Sequence, residues 1–366
     1  MFPLPVRAGL RPPVPSEPSH LARRLGCSEE AVRLARDSEL IDLHIDTFIP
    51  PRLWGYDPLV AHRSALLGRW WFGHLDLPRM AEGGLSGAMW SITTNPSRGP
   101  QQRWRTFQRN LAGMQALVAR SGGALEIVRT AAEYRSARAR GAHAVIVSIQ
   151  GGNALEAAPG GMAAVPDRIV VRATVVHLTT SSFGETSSPL RRFHRIRGLT
   201  DKGAEFVRQC NAERVFVDLA HIGEAAFWQA FEVADKGQPI LATHTGVDGP
   251  REHWRNLSDR QIEAIASTGG TVGIIFSEPF LKRPGGPSNG RMVVEHMDHV
   301  IQVVGEDHVS VGSDFDGMIR PPWDLKSGET YPVLVQHMLD AGWQHDRIRK
   351  VLGGNFLRAF EALRPE

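Results

Sequence analysis

His44-x-Asp46 closes a short apolar run and sets two side chains one residue apart. In a strand such residues share a face, because side chains alternate with a period of two. Imidazole with carboxylate is a donor pair that a borderline divalent cation such as Zn²⁺ accepts readily. His221 and His244 each follow another short β-branched run and add two imidazoles. The four suffice for one ion and, with a bridging ligand, for two. Such a cation lowers the pKa of its bound water toward neutrality, which makes a nucleophile, and it polarises a carbonyl as well. Asp314, just past a further run, is placed to move protons between that water and a leaving group. Taken alone, any one of these histidines reads more simply as a buried neutral packing residue, and Asp314 as a helix cap or loop brace. The weight comes from equivalent placement.

That placement depends on the elements around them. Short β-branched runs alternate with longer amphipathic segments, the pattern of repeated βα units. The runs are 40–43, 87–92, 144–149, 169–176, 215–219, 240–242, 271–276 and 309–311. Eight of them favour a closed (β/α)8 TIM barrel, an α/β fold whose strand C-terminal ends face the active-site mouth. The residues at those ends are His44 and Asp46, Thr93 and Thr94, Gln150, His177, His221, His244, Ser277 and Asp314, so five of the eight carry a metal-competent His or Asp. His62, His143, His253, His296, His299, His337 and His345 fall instead on expected helices or connecting loops and read as surface or packing residues.

The chain divides into a proline-rich N-terminal arm with a helix over 28–38, together residues 1–38, and the barrel, residues 39–366. Residues up to about 20 are expected to lack regular structure because of their prolines. Two long connections draw notice. Residues 180–197 read as a mouth loop after the fourth strand, and 278–290 as a lid or a plain surface excursion.

Composition narrows the function class. The 42 basic and 39 acidic side chains leave a net charge of +3, and the basic residues form no tract, so nucleic-acid binding has no support. Cys27 and Cys210 are the only cysteines, too few for a disulfide framework or a cysteine zinc site; two unpaired thiols in a reducing compartment are expected. The first residues lack the apolar core of a signal peptide, and no run approaches the roughly 18 apolar residues of a membrane span. A cytoplasmic protein without membrane or nucleic-acid partners is the expectation.

With these motifs assembled, the sequence resembles the membrane dipeptidase (renal dipeptidase) family, peptidase family M19, from about Glu39 to the C-terminus. The resemblance rests on IDLHIDT, HLDLPRMAEGGLSGAMWSI, VVHLTTSSF, FVDLAHIGEAAFW, ATHTGVDG, WRNLSD and HMDHVIQVVGEDHVSVGSDFDG, in that order. It implies that His44 and Asp46 bind one zinc and His221 and His244 another, with a hydroxide between them attacking the peptide carbonyl. It further implies that His177 meets the developing oxyanion, that Arg255 pairs with the substrate's terminal carboxylate in the bidentate manner of a guanidinium, and that Asp314 carries the proton and meets the substrate amine. A small dipeptide-like substrate and a homodimer also follow from the resemblance.

One position departs from the family pattern. The third strand of these enzymes ends in a glutamate that bridges the metals, whereas this chain has Gln150. Its amide offers one acceptor oxygen, and its NH2 group repels a cation. Two Zn²⁺ against Asp, Glu and hydroxide leave about +1, but against Gln about +2, in a site where uncompensated charge is costly. One tightly held ion, or none, is expected. Glu156, six residues on, could in principle substitute but is expected to lie past the strand end. The readings are therefore a metal-dependent hydrolase of dipeptides or a related small amide, a single-metal enzyme for a specialised dipeptide-like metabolite, and a catalytically silent barrel that binds one.

Overall fold

The computed structural model describes residues 13–62, 71–94 and 97–365. Among the described residues nine strands form one sheet: β1 (Ile41–Ile45), β2 (Gly87–Thr93), β3 (Leu125–Ile127), β4 (His143–Gln150), β5 (Arg172–Thr174), β6 (Phe216–Asp218), β7 (Leu241–Thr245), β8 (Thr271–Ile274) and β9 (Val309–Val311). Every pairing is parallel, in the order β1-β2-β4-β5-β6-β7-β8-β9, with β3 flanking β4 off that path. Parallel strands are covered on both faces, which is why β4, HAVIVSIQ, reads as a continuous apolar run and is buried at all eight positions. Helices on the outside complete a (β/α)8 barrel.

Closure falls at the future site. Asp314 donates its backbone N–H to the carbonyl of His44 at 3.0 Å, and Asp46 donates to Phe315 at 2.8 Å. Beneath them, Asp42 accepts from the backbone of His44 and Ser313 and from the Tyr331 hydroxyl. The seam between the first and last strands is thus tied by the residues whose side chains carry the chemistry.

Several expectations need correction. His44 and His244 lie inside their strands rather than just past them, and Gln150 is the last residue of β4. The fourth expected run, 169–176, contributes only Arg172–Thr174 to the ladder, because its neighbours overlap it over three residues. β3 was not anticipated. His143 opens β4 instead of lying on a helix or loop, and it does pack: its Nδ1 donates to the Leu85 carbonyl and its Nε2 accepts from the Trp90 indole. Regular structure starts before residue 20, with a helix at Pro18–Leu25 whose proline sits in the first turn, where no hydrogen bond is lost. Residues 1–12 lie outside the described residues. A second helix, Glu29–Asp37, is capped by Ser28 and buries Ala31, Leu34 and Ala35 in the main core.

The barrel interior also departs from a stack of branched side chains. The level beneath the mouth is polar, with Asp42, Ser91, Ser148, Arg172, Thr174, Asp218 and Thr243 all fully buried.

Candidate metal centre

Two of the expected site residues, the ligand His221 and the proton carrier Asp314, occupy strained backbone. His221 (φ 66°) and Asp314 (φ 63°) adopt the left-handed conformation that non-glycine residues avoid, at about 1–3 kcal/mol each. Both turn abruptly at a strand end, which swings the side chain inward over the barrel axis.

The side chains converge. His221 Nε2 lies 2.7 Å from His244 Nε2, and the His244 ring stacks on His44 at 3.7 Å. His44 Nε2 stands 3.5 Å from Asp314 Oδ1 and 3.8 Å from Asp46 Oδ1. His44, His244 and Asp314 can bring donor atoms within 4.8 Å of one another. Gln150 sits among them, its Nε2 facing His221 Nε2 at 3.4 Å and His244 Nε2 at 3.5 Å. His44 Nε2, Asp46 Oδ1, Gln150 Oε1 and Asp314 Oδ1 are buried and have no hydrogen-bond partner. Buried polar atoms are nearly always paired, so four orphans in one cluster of side chains mark a site built for a further group.

The supports differ from one histidine to the next. Behind His244, Thr243 gives its hydroxyl proton to Asp218 Oδ2 at 2.8 Å, so the Thr243 oxygen accepts from His244 Nδ1 at 2.9 Å. Asp218 also receives the Thr174 hydroxyl and the N–H groups of Ala220 and Thr243. Behind His44 stands Arg172, fully buried, whose Nη2 donates to His44 Nδ1 at 2.6 Å and to Ser91 Oγ at 2.9 Å. Its Nη1 reaches Thr174 Oγ1 at 2.6 Å and Asp218 Oδ2 at 3.3 Å.

Burial dominates the electrostatics. Loss of water holds His44, His221 and His244 well below the ordinary imidazole value, and neighbouring arginines push the same way. Burial raises the Asp46 carboxyl to about 7 and carries Asp314 well above the carboxylate range, where the charge of Asp46 adds to the effect. Arg255, buried, is brought down to about 10 against the opposing pull of Asp314. It is anchored by an Nη2 bond to the His244 carbonyl at 2.6 Å, while its Nε is unpartnered.

The cluster forms the floor of a cavity of about 2050 Å³, onto which Asp46, Gln150, His177, His221, Arg255 and Asp314 open. His44 and His244 lie just beneath. His177 is half-buried at the rim, its ring edge-on to His221 at 4.8 Å.

Residues 28–364 match the model of the membrane dipeptidase family, peptidase family M19. The chain belongs to that family. Dipeptidase verJ of Clonostachys rogersoniana is 25% identical over 349 residues, covering 91% of this chain and 86% of that protein. An uncharacterized protein in the pqqA 5' region of Klebsiella pneumoniae is 35% identical over 167 residues, 45% of this chain and 60% of that protein. Among solved structures, dipeptidase AC superposes with a TM-score of 0.76 at 25% identity, covering 88% of this chain and 98% of that one. A metallo peptidase from Rhodobacter sphaeroides, liganded with a phosphinate mimic of L-Ala-D-Ala, gives 0.76 at 25% identity, with 89% and 99% covered.

In this member of the M19 family all eight expected site residues meet at the barrel mouth or directly under it. Glu156 does not join them; it pairs with Arg103 at 2.7 Å and Lys202 at 2.9 Å, outside the cavity. The 180–197 connection does not line the cavity, and of 278–290 only Pro279 and Phe280 do. Sequence reasoning missed the supporting layer: Arg172, Asp218, Thr243 and Asp42. The available signal was a period-two set of polar residues within apolar strands, as in VVRAT and FVDLAH. His74 was missed too. It braces the last loop, its Nδ1 accepting from the backbone of Asp316, whose carboxylate takes the Thr47 hydroxyl and the N–H groups of Gly73 and His74.

Proposed function

We propose that this chain is a metal-dependent dipeptidase that cleaves the amide of a dipeptide-sized substrate carrying a free carboxylate, and that it works with one ion rather than two. The observation that carries the reading is the set of orphaned buried donors at the floor of an open cavity. The fit is to one ion. His221 and His244 would hold it, with carboxylate oxygen from Asp46 or Asp314 and the single acceptor oxygen of Gln150. Zinc suits that mixture of imidazole and carboxylate. A second ion fits poorly, because Gln150 brings no charge and the Nδ1 of His44 already accepts from a guanidinium.

A bound divalent cation supplies Lewis acidity and lowers the pKa of water. The protein's own groups do the rest. Asp314, its carboxyl carried well above the carboxylate range by burial, is suited to hand a proton to the departing amine. His177, neutral and at the rim, is positioned to donate to the oxygen of the attacked carbonyl. Arg255, fixed at one nitrogen and free at another, meets the substrate's terminal carboxylate, as such groups do in pairs of parallel hydrogen bonds. Cys27 and Cys210 are unpaired, and no described helix is long and apolar enough to cross a membrane; we place the enzyme in the cytoplasm and expect a homodimer.

Gln150 also favours a second reading, a barrel that binds a dipeptide-like metabolite without cleaving it. Amino-acid release from a panel of L,L and L,D dipeptides by metal-loaded protein, run beside Gln150→Glu, separates the two. Turnover by the natural protein establishes the dipeptidase. Turnover by Gln150→Glu alone shows a competent scaffold silenced at one residue, and turnover by neither rules the activity out.

A further inference from the structure

The cavity is larger than its chemistry at the floor requires. Pockets for small ligands run to roughly 300–1,000 Å³, and this one is about twice the upper figure. Its excess lies on the side of β1 and β2, away from Arg255 on the loop after β7.

Apart from Asp46 at the floor, the charged residues lining that side are all arginines. Between Glu82 and Glu126 the sequence has no acidic residue, yet it carries Arg98, Arg103, Arg105, Arg109 and Arg120. Two of the five are neutralised: Arg103 by Glu156 at 2.7 Å, and Arg120 by Asp57 at 2.8 and 3.0 Å. Arg98 and Arg109 line the cavity, and among the described residues neither side chain has a carboxylate partner. Arg52 enters the same wall from the helix Ile49–Trp54. It is held rigid by neutral acceptors only, the Phe48 carbonyl at 3.0 Å, the Thr93 carbonyl at 3.0 Å and Thr93 Oγ1 at 2.8 Å. Burial lowers the Arg52 pKa, and the charges of Arg98 and Arg109 push the same way against that of Asp46. Like charges gathered in one concavity repel, and an anion placed among them relieves that repulsion. Exposed Leu53, Trp54 and Trp71 add apolar surface to the same wall.

We infer that Arg52, Arg98 and Arg109 form an anion subsite for a second carboxylate, carried on the amino-terminal side of the substrate. The substrate class is then an amide with an acid at each end: the terminal carboxylate at Arg255, and an acidic side chain or acyl group reaching the arginine wall across the apolar surface. This rests on the dipeptidase reading for the orientation of the substrate.

The test uses L-Glu-L-Ala and L-Gln-L-Ala, which differ only in that charge, with metal-loaded full-length protein and with Arg98→Gln/Arg109→Gln. Arg109 is exposed and Arg98 half-buried, and neither side chain makes a hydrogen bond or ion pair among the described residues, so the double variant keeps the fold. Kd is read by calorimetry and amino-acid release alongside it. The natural protein should favour the Glu peptide roughly tenfold, the scale of one hydrogen bond to a charged group, and the preference should fall toward one in the double variant and at high salt. Equal affinity for the two peptides, binding of neither, or a preference that survives the double substitution overturns the subsite. A charge preference in binding without release leaves the subsite standing and removes the dipeptidase reading. Release of both peptides at equal efficiency does the reverse.

Discussion

The two halves of the metal centre are built with opposite polarity. On one side His244 leans on a hydroxyl that leans on a buried carboxylate, so its Nδ1 carries the ring hydrogen and its Nε2 lone pair points into the site. On the other, His44 accepts from the Arg172 guanidinium at Nδ1. A neutral imidazole has one donor and one acceptor nitrogen, so the His44 hydrogen falls on Nε2, which stands 3.5 Å from Asp314 Oδ1 and 3.8 Å from Asp46 Oδ1 without a hydrogen bond to either. The partner behind a histidine thus decides whether it can serve as a ligand, as outer-shell groups generally set ring orientation and basicity. Two imidazoles at the same barrel level, stacked on each other, are prepared for different tasks.

The comparison is broken most severely at its stronger half. Loss of His244 or His221, as in His244→Ala or His221→Ala, should cost more than about 100-fold in metal affinity, since even outer-shell losses cost 10–100-fold. Far-UV circular dichroism should be unchanged, because both side chains face the mouth and not the apolar core. Collapse of the fold in either variant would make that histidine structural and void the assignment. Next in size is Gln150→Glu, which returns a carboxylate between the halves. After dialysis, elemental analysis should rise from one ion per chain to two; two ions in the natural protein would sink the single-ion reading.

Arg172→Met addresses the weaker half directly. Asp218 would keep its two hydroxyl and two N–H donors, so the cost should stay near that of a few lost hydrogen bonds, about 1–3 kcal/mol by chemical denaturation. With Nδ1 of His44 released, the second ion in the Gln150→Glu background should bind about tenfold more tightly. An unchanged metal titration would show that Arg172 is ballast for Asp218 and nothing more.

Much of this was open to reading in the sequence, and the reason is parity. His44 and Asp46 stand two residues apart at the end of one strand, and His221, His244 and Asp314 each follow a β-branched run, so the barrel level of the site could be assigned without knowing which strands touch. The polarity behind each histidine could not. Arg172 stands in VVRAT, where a lone charge reads as an outward side chain, and its partners His44 and Asp218 are 128 and 46 residues away in the chain, joined only by closure of the sheet. The arginine wall was hidden for a related reason. Arg52 follows β1 while Arg98 and Arg109 follow β2, and which arginines of that second connection lack a carboxylate depends on tertiary pairing of Arg103 with Glu156 and of Arg120 with Asp57.

Packing histidines give the smallest test and the control for the larger ones. His143 and His296 are buried among neutral partners, and burial brings each to about 4 from an ordinary value of 6.5. Between those values the unfolded chain binds protons that the folded chain refuses. Their contribution is therefore complete above pH 6.5, declines as pH falls toward 4, and levels off below it. At 1.36 kcal/mol per unit the most each can supply is about 3 kcal/mol. The difference in unfolding free energy between metal-free natural protein and His143→Leu, followed from pH 7 to pH 4.5, isolates one of them. The variant starts less stable, because Trp90 Nε1 and the Leu85 carbonyl lose their partner, but its stability should fall less steeply in acid. A parallel pair of curves would mean that His143 takes up its proton in the folded state. Burial alone would then not keep an imidazole neutral in this barrel, and the low values at His44, His221 and His244 would have to come from the arginines beside them.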